Sequence, residues 1–141
     1  MAGLKNLIRL HEWTVDERRR ELGAHLKYLN ELDQALVDLE HELQREQALA
    51  GASADGLNFT FGAYYKNVRY RRERFQRQIR EKEAEIADAR DILSRAYMEL
   101  KKYQVAQDVR NQAVELEISR RDQNELDELG LQLYRQQQRT P

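Results

Sequence analysis

The sequence predicts an all-α protein: two long helices folded into an antiparallel coiled-coil hairpin with a C-terminal helical overhang. Three observations carry this expectation. Ala, Glu, Lys, Leu and Arg supply 73 of the 141 residues, the usage of long helices and coiled coils. The one proline is the last residue, Pro141, so no internal position forbids helix. Apolar residues recur every seven positions along two long stretches. The mean hydropathy of −0.92 and the 35% charged residues leave little apolar surface for a thick core, so a slender single coiled-coil domain over 1–141 is expected.

Helix 4–50 comes first. Its a column reads Ile8, Val15, Leu22, Leu29, Leu36, Leu43 and Ala50. Its d column is apolar at Leu4, Leu32 and Leu39 and polar at His11, Arg18, His25 and Glu46. This is an imperfect coiled-coil seam, with the histidines and Arg18 read as polar interruptions. A break follows at 51–60, where Gly51, Ser53, Asp55, Gly56, Asn58 and Thr60 favour a turn and an N-cap. Asn58-Phe59-Thr60 also matches a glycosylation acceptor, read here as turn plus cap. Helix 61–137 then carries Ile79, Ile86, Leu93, Leu100 and Val114 at a, and Val68, Phe75, Ala89, Ala96 and Tyr103 at d. Arg72, Gln107 and Lys82 interrupt it.

One antiparallel register pairs these columns throughout, joining residues whose numbers sum to 111. It sets Leu43 beside Val68, Leu36 beside Phe75, Leu32 beside Ile79, Leu22 beside Ala89, Val15 beside Ala96 and Ile8 beside Tyr103. Charge agrees with it: residues 31–56 carry a balance of −6 and residues 61–82 one of +6. Exposed ion pairs are worth about 0–1 kcal/mol each, so this matching sets register more than stability. Leu4 pairs with Gln107, which leaves 108 onward without a first-helix partner. That overhang still carries Val109, Val114, Leu116, Ile118, Leu126, Leu129, Leu131 and Leu133. An isolated amphipathic helix is marginal in water, so fraying of the tail and ordering on binding are expected.

The sequence offers no chemistry. It has no cysteine, no phosphate-cradling glycine loop, no GxSxG elbow and no HExxH. His11 and His25 lie about 21 Å apart on a helix, too far to share a metal ion. No catalytic, cofactor-binding or metal-binding residue is therefore assigned, and an enzyme is not expected. The first residues lack the apolar core of a secretory signal and no apolar run reaches membrane-span length, so a cytoplasmic location is expected. The run Tyr64–Arg80 mixes aromatics with six arginines and Lys66, a composition that suits nucleic acid. Pairing with the acidic stretch across the hairpin is preferred, and no nucleic-acid partner is assigned. Leu10, Trp13, Met98 and Val105 fall at outer heptad positions, and Phe59, Phe61, Tyr64 and Tyr65 gather near the hairpin end. As clusters they favour protein docking.

These residues bring a family into view. Leu4-Lys5-Asn6-Leu7-Ile8-Arg9-Leu10 leads into a charged helix through Asp16 and Glu17. An aromatic re-entry follows at Phe61–Val68, and Arg121-Asp122-Gln123 precedes Asp127-Glu128. In these features the chain resembles the FliJ family of the bacterial flagellar type III export apparatus. The resemblance implies a two-helix antiparallel coiled coil, similar to the central stalk of rotary ATP synthases, that is not an enzyme and takes no cofactor. It implies a protein at the flagellar base on the cytoplasmic face of the membrane, serving flagellum assembly and motility. Implied partners are the export ATPase ring, the cytoplasmic part of the export gate and the export chaperones. Expected ATPase contacts are Leu10, Trp13, Arg121, Asp122, Gln123 and Asp127; expected gate contacts are Phe61, Tyr64, Tyr65 and Val68. The isolated protein is expected to be a monomer. The runner-up readings are a generic dimeric coiled-coil scaffold and an injectisome-type stalk.

Overall fold

The computed structural model describes residues 2–51 and 56–139, and all of them are helical. Helix α1 spans Ala2–Gly51 and helix α2 spans Gly56–Arg139. The two pack against each other as a helical hairpin. Both helices run slightly past the bounds read from sequence, and α2 starts at Gly56 rather than at 61. With no proline nearby, nothing in 56–60 stops the helix from extending backward. Residues 52–55 of the expected turn lie outside the described residues, as do the side chains of Asn58 and Phe59.

The chain divides into two compact units, Trp13–Tyr97 and Met1–Glu12 with Met98–Pro141. In the first, cross-helix contacts pair Glu42 with Arg71, Glu40 with Arg72, Tyr28 with Lys82 and His25 with Glu85. Numbers fall along α1 as they rise along α2, so the helices are antiparallel here. Each of these pairs sums to within two of 111, the expected register. In the second unit the His11 ring stacks on Tyr103, with centroids 4.7 Å apart at 25°.

Burial follows the heptads. Val15, Leu32, Leu39, Leu43, Val68, Ile86 and Leu100 are buried, and every one is an a or d residue. The tightest packing joins Leu39, Leu43 and Val68, with Phe61, Tyr64 and Phe75 against them. Two helices can shield only a single stripe each, so the core is one residue wide and its flanks stay wet.

The seam interruptions are accommodated by polar contacts. Arg18 sends its guanidinium to Glu21 at 3.0 Å. Lys82 has its side chain 17% exposed; its Nζ donates to Glu85 at 2.6 Å, stands 3.3 Å from His25 Nδ1 and caps the Tyr28 ring at 4.7 Å. A lysine is tolerable at a seam position because its stem packs while its ammonium finds an acid and an aromatic face.

Candidate interaction surfaces

The near end of the Trp13–Tyr97 unit is built on Val68. Its side chain is 0% exposed, so it supports the surface from beneath and presents nothing to a partner. Phe61 and Tyr64 are half-buried against the same cluster, and Tyr65 is exposed. The rings of Tyr64 and Tyr65 lie 6.3 and 6.4 Å from that of Phe61. The four residues expected from sequence thus meet at one place, three with some surface and one without.

The electrostatics of this end are specific. The Tyr64 hydroxyl is enclosed with no hydrogen-bond partner of good geometry. Burial, then the charges of Glu42 and Glu46, raise its pKa above the usual 10. Glu42 lies close enough to add to that rise, and its carboxylate also accepts from Arg71 Nη1 at 3.1 Å. Arg72 Nε donates to Glu40 at 2.6 Å, which holds the guanidinium above its usual range. Arg72 occupies an a position, and the reach to Glu40 explains how an arginine fits there.

The sequence expected most of the positive charge of 61–82 to face the acidic stretch, and the structure corrects this. Only Arg71 and Arg72 make ion pairs across to it among the described residues. Arg69 turns to Glu73 on its own helix at 3.6 Å. Lys66, Arg74, Arg77 and Arg80 are exposed and make no ion pair with a described residue. Their heptad positions account for this: they fall at b, c and f, facing away from the seam.

In the other unit, Leu10 and Met98 are exposed, the latter at 67%. Every residue from Asp108 to Arg139 is exposed as well. The arm is continuous helix. Pairs spaced one turn apart tie it along its length: Gln107 to Asn111, Arg121 to Glu117, Gln123 to Asp127 and Gln138 to Tyr134, at 2.8–3.2 Å. Arg121, Gln123 and Asp127 therefore spend part of their bonding within the helix, while Asp122 is exposed. Trp13, 61% exposed, belongs to the Trp13–Tyr97 unit.

The grooves bordered by described residues are shallow. The groove bordered by Asp38, Glu42, Arg45 and Arg71 holds about 350 Å³ and is open to solvent. No group of three or more His, Cys, Asp or Glu residues placed to hold a metal ion occurs among the described residues. No described helix is long and apolar enough to cross a membrane. What the molecule offers is helix faces.

The family model described as Flagellar FliJ protein matches residues 1–139. No curated protein and no solved structure shows a match. A match over nearly the whole chain, on a paired-helix fold whose buried residues keep the heptad, places this chain in the FliJ family of helical coiled-coil proteins of flagellar export.

Proposed function

We propose that the chain is a non-enzymatic stalk of the flagellar export apparatus, working at the cytoplasmic face of the membrane at the flagellar base. Its terminal segments engage the export ATPase ring through Leu10, Trp13, Arg121, Asp122, Gln123 and Asp127. Its hairpin end meets the export gate through Phe61, Tyr64 and Tyr65, held in place by Val68. Between these engagements it escorts export chaperones, and by itself it is a monomer.

The observation that carries this reading is the arm. It keeps Val109, Val114, Leu116, Ile118, Leu126, Leu129, Leu131 and Leu133 exposed along 108–139. Apolar residues kept on a helix with nothing packed on them favour a partner that covers them. Force and hydrolysis belong to that partner, since the stalk offers shape and contact but no reacting groups.

The test is affinity capture from a flagellated cell with tagged full-length protein beside a 1–107 truncation, which keeps the whole buried seam. Recovery of the export ATPase by the full chain and its loss with the truncation is the expected outcome. Equal recovery of the ATPase by both would remove the arm from the interface. For the other end, Tyr64→Ala with Tyr65→Ala should lower gate affinity with helicity intact, and unchanged affinity would retire that assignment.

A further inference from the structure

Lys66, Tyr70, Arg74, Arg77 and Arg80 share one side of α2. At 100° per residue they fall within a sector of about 120°, opposite the seam that buries Val68 and half-buries Phe75 and Ile79. From Lys66 to Arg80 the ridge runs about 21 Å along the helix. All five side chains are exposed, with Tyr70 in their midst 63% exposed. None of the four cations lies within ion-pair distance of a described carboxylate: the acids of α1 reach only Arg71 and Arg72, and the exposed Glu81 stands on the same side of the helix without closing on any of them. Glu73 lies within the ridge but is tied to Arg69 at 3.6 Å.

We propose that this cationic ridge of Lys66, Tyr70, Arg74, Arg77 and Arg80 is a docking surface for an acidic helical segment of a partner protein. The inference stands on the ridge's own geometry and does not depend on the stalk reading. Four cations on one helix face with no ion pair leave a local field that a complementary segment neutralises. An acidic helix repeats its carboxylates one turn apart, about 5–6 Å, the spacing that Arg74, Arg77 and Arg80 themselves present. The Tyr70 hydroxyl donates to a carboxylate between them. Phosphate surfaces suit the ridge less well. It is one helix wide and convex. A duplex or a bilayer presents phosphates over a broad face, of which a single convex helix meets only a narrow strip.

The experiment measures binding of a fluorescein-labelled 20-residue alanine-based helical peptide, carrying glutamates one turn apart along one face, to the full chain by anisotropy at low and at physiological salt. Binding that weakens as salt rises, and that falls at least about tenfold in Arg74→Glu/Arg77→Glu, is the expected result. Both positions are exposed and glutamate is a good helix former, so an unchanged helical circular dichroism signal verifies the fold. Arg74→Gln/Arg77→Gln should give an intermediate loss, and Tyr70→Phe a smaller one. Arg110→Glu/Arg120→Glu makes the same change in net charge on the arm and should bind like the parent. An equal loss in that control would reduce the effect to net charge and overturn the proposal. So would a 20-nucleotide single strand or phosphatidylserine vesicles binding through Arg74 and Arg77 as tightly as the peptide. A rise in mass with protein concentration that the peptide competes away would assign the ridge to a second copy and overturn it equally.

Discussion

The same chemical change at two places on α2 separates packing from exposure. Val68 is 0% exposed in the tightest cluster and Val109 is 59% exposed on the arm. Val68→Ala removes two buried methyl groups, about 1.6 kcal/mol of transfer free energy. The space left between Leu39 and Leu43 adds about 1 kcal/mol of cavity cost. Alanine's higher helix propensity returns about 0.5 kcal/mol. The net expectation is a loss of about 2 kcal/mol. Val109→Ala deletes the same atoms from water-exposed surface, so only the propensity gain remains and stability rises by up to about 0.5 kcal/mol. Urea unfolding followed at 222 nm reads both, with the midpoint shift converted through a common slope. If Val68→Ala shifted the midpoint no more than Val109→Ala, the hairpin end would not be packed as described, and the surface resting on Val68 would lose its foundation.

The Tyr64 hydroxyl is enclosed without a good partner, so Tyr64→Phe should leave stability unchanged or raise it slightly at pH 7. Because the folded phenol has a raised pKa, the unfolded chain ionises first. Wild-type stability is therefore full below pH 10 and falls as pH rises past 10 toward the folded value; Tyr64→Phe should flatten that alkaline decline in thermal melts. Glu85 is held below its ordinary 4.5, first by the hydrogen bond from Lys82 and then by its charge. Its contribution is present above the unfolded pKa and lost as pH falls through the depressed folded one. Glu85→Gln should therefore differ from wild type at pH 7 and converge with it in acid, and a difference constant with pH would refute the pairing. Arg72 and Glu40 are partly shielded at 2.6 Å, so a double-mutant cycle should give a coupling of about 1 kcal/mol, against about 0.3 kcal/mol for the exposed Arg69–Glu73 pair. Hydrogen exchange should find amides of 115–139 far less protected than those around Leu39 and Ile86, because the arm has helix bonds but no packing. Strong protection along the free arm would contradict this.

Much of the fold was legible because a coiled coil writes its packing into the sequence period. The apolar residues that the structure buries or half-buries along α2, from Val68 through Phe75, Ile79, Ile86 and Leu93 to Leu100 and Tyr103, are the ones the heptad columns name. The antiparallel register was legible as well, since both hydrophobic and charge patterns point to it. Legibility failed where a summed property stood in for a face. Counting charge over 61–82 suggested neutralisation across the hairpin, yet a cation pairs across only if its heptad position lies beside the seam. Arg71 and Arg72 meet that condition, and Lys66, Arg74, Arg77 and Arg80 do not. Val68 shows the converse: a d position there is sealed, so the residue supports the surface from beneath instead of forming it. The start of α2 was missed because turn propensity in Gly56, Asn58 and Thr60 is weak against helix propagating from α2 itself.

A seam one residue wide confines what such a molecule can do. Burial is concentrated in a few a and d side chains, and every other face meets water. A two-helix protein of this kind can carry different surfaces on different stretches of the same helix without disturbing the seam. α2 does this. Between Lys66 and Arg80 its outer face is cationic, while its inner face holds Val68, Phe75 and Ile79 against α1. Beyond Gln107 the helix has no inner face, and its apolar residues lie open on several sides. Substitutions that alter the outer ridge should leave the seam intact, and truncation of the arm should leave the ridge intact. Separable loss of peptide binding and of ATPase recovery would follow from that independence, whereas joint loss from either change would mean that the surfaces communicate through the helix that bears them.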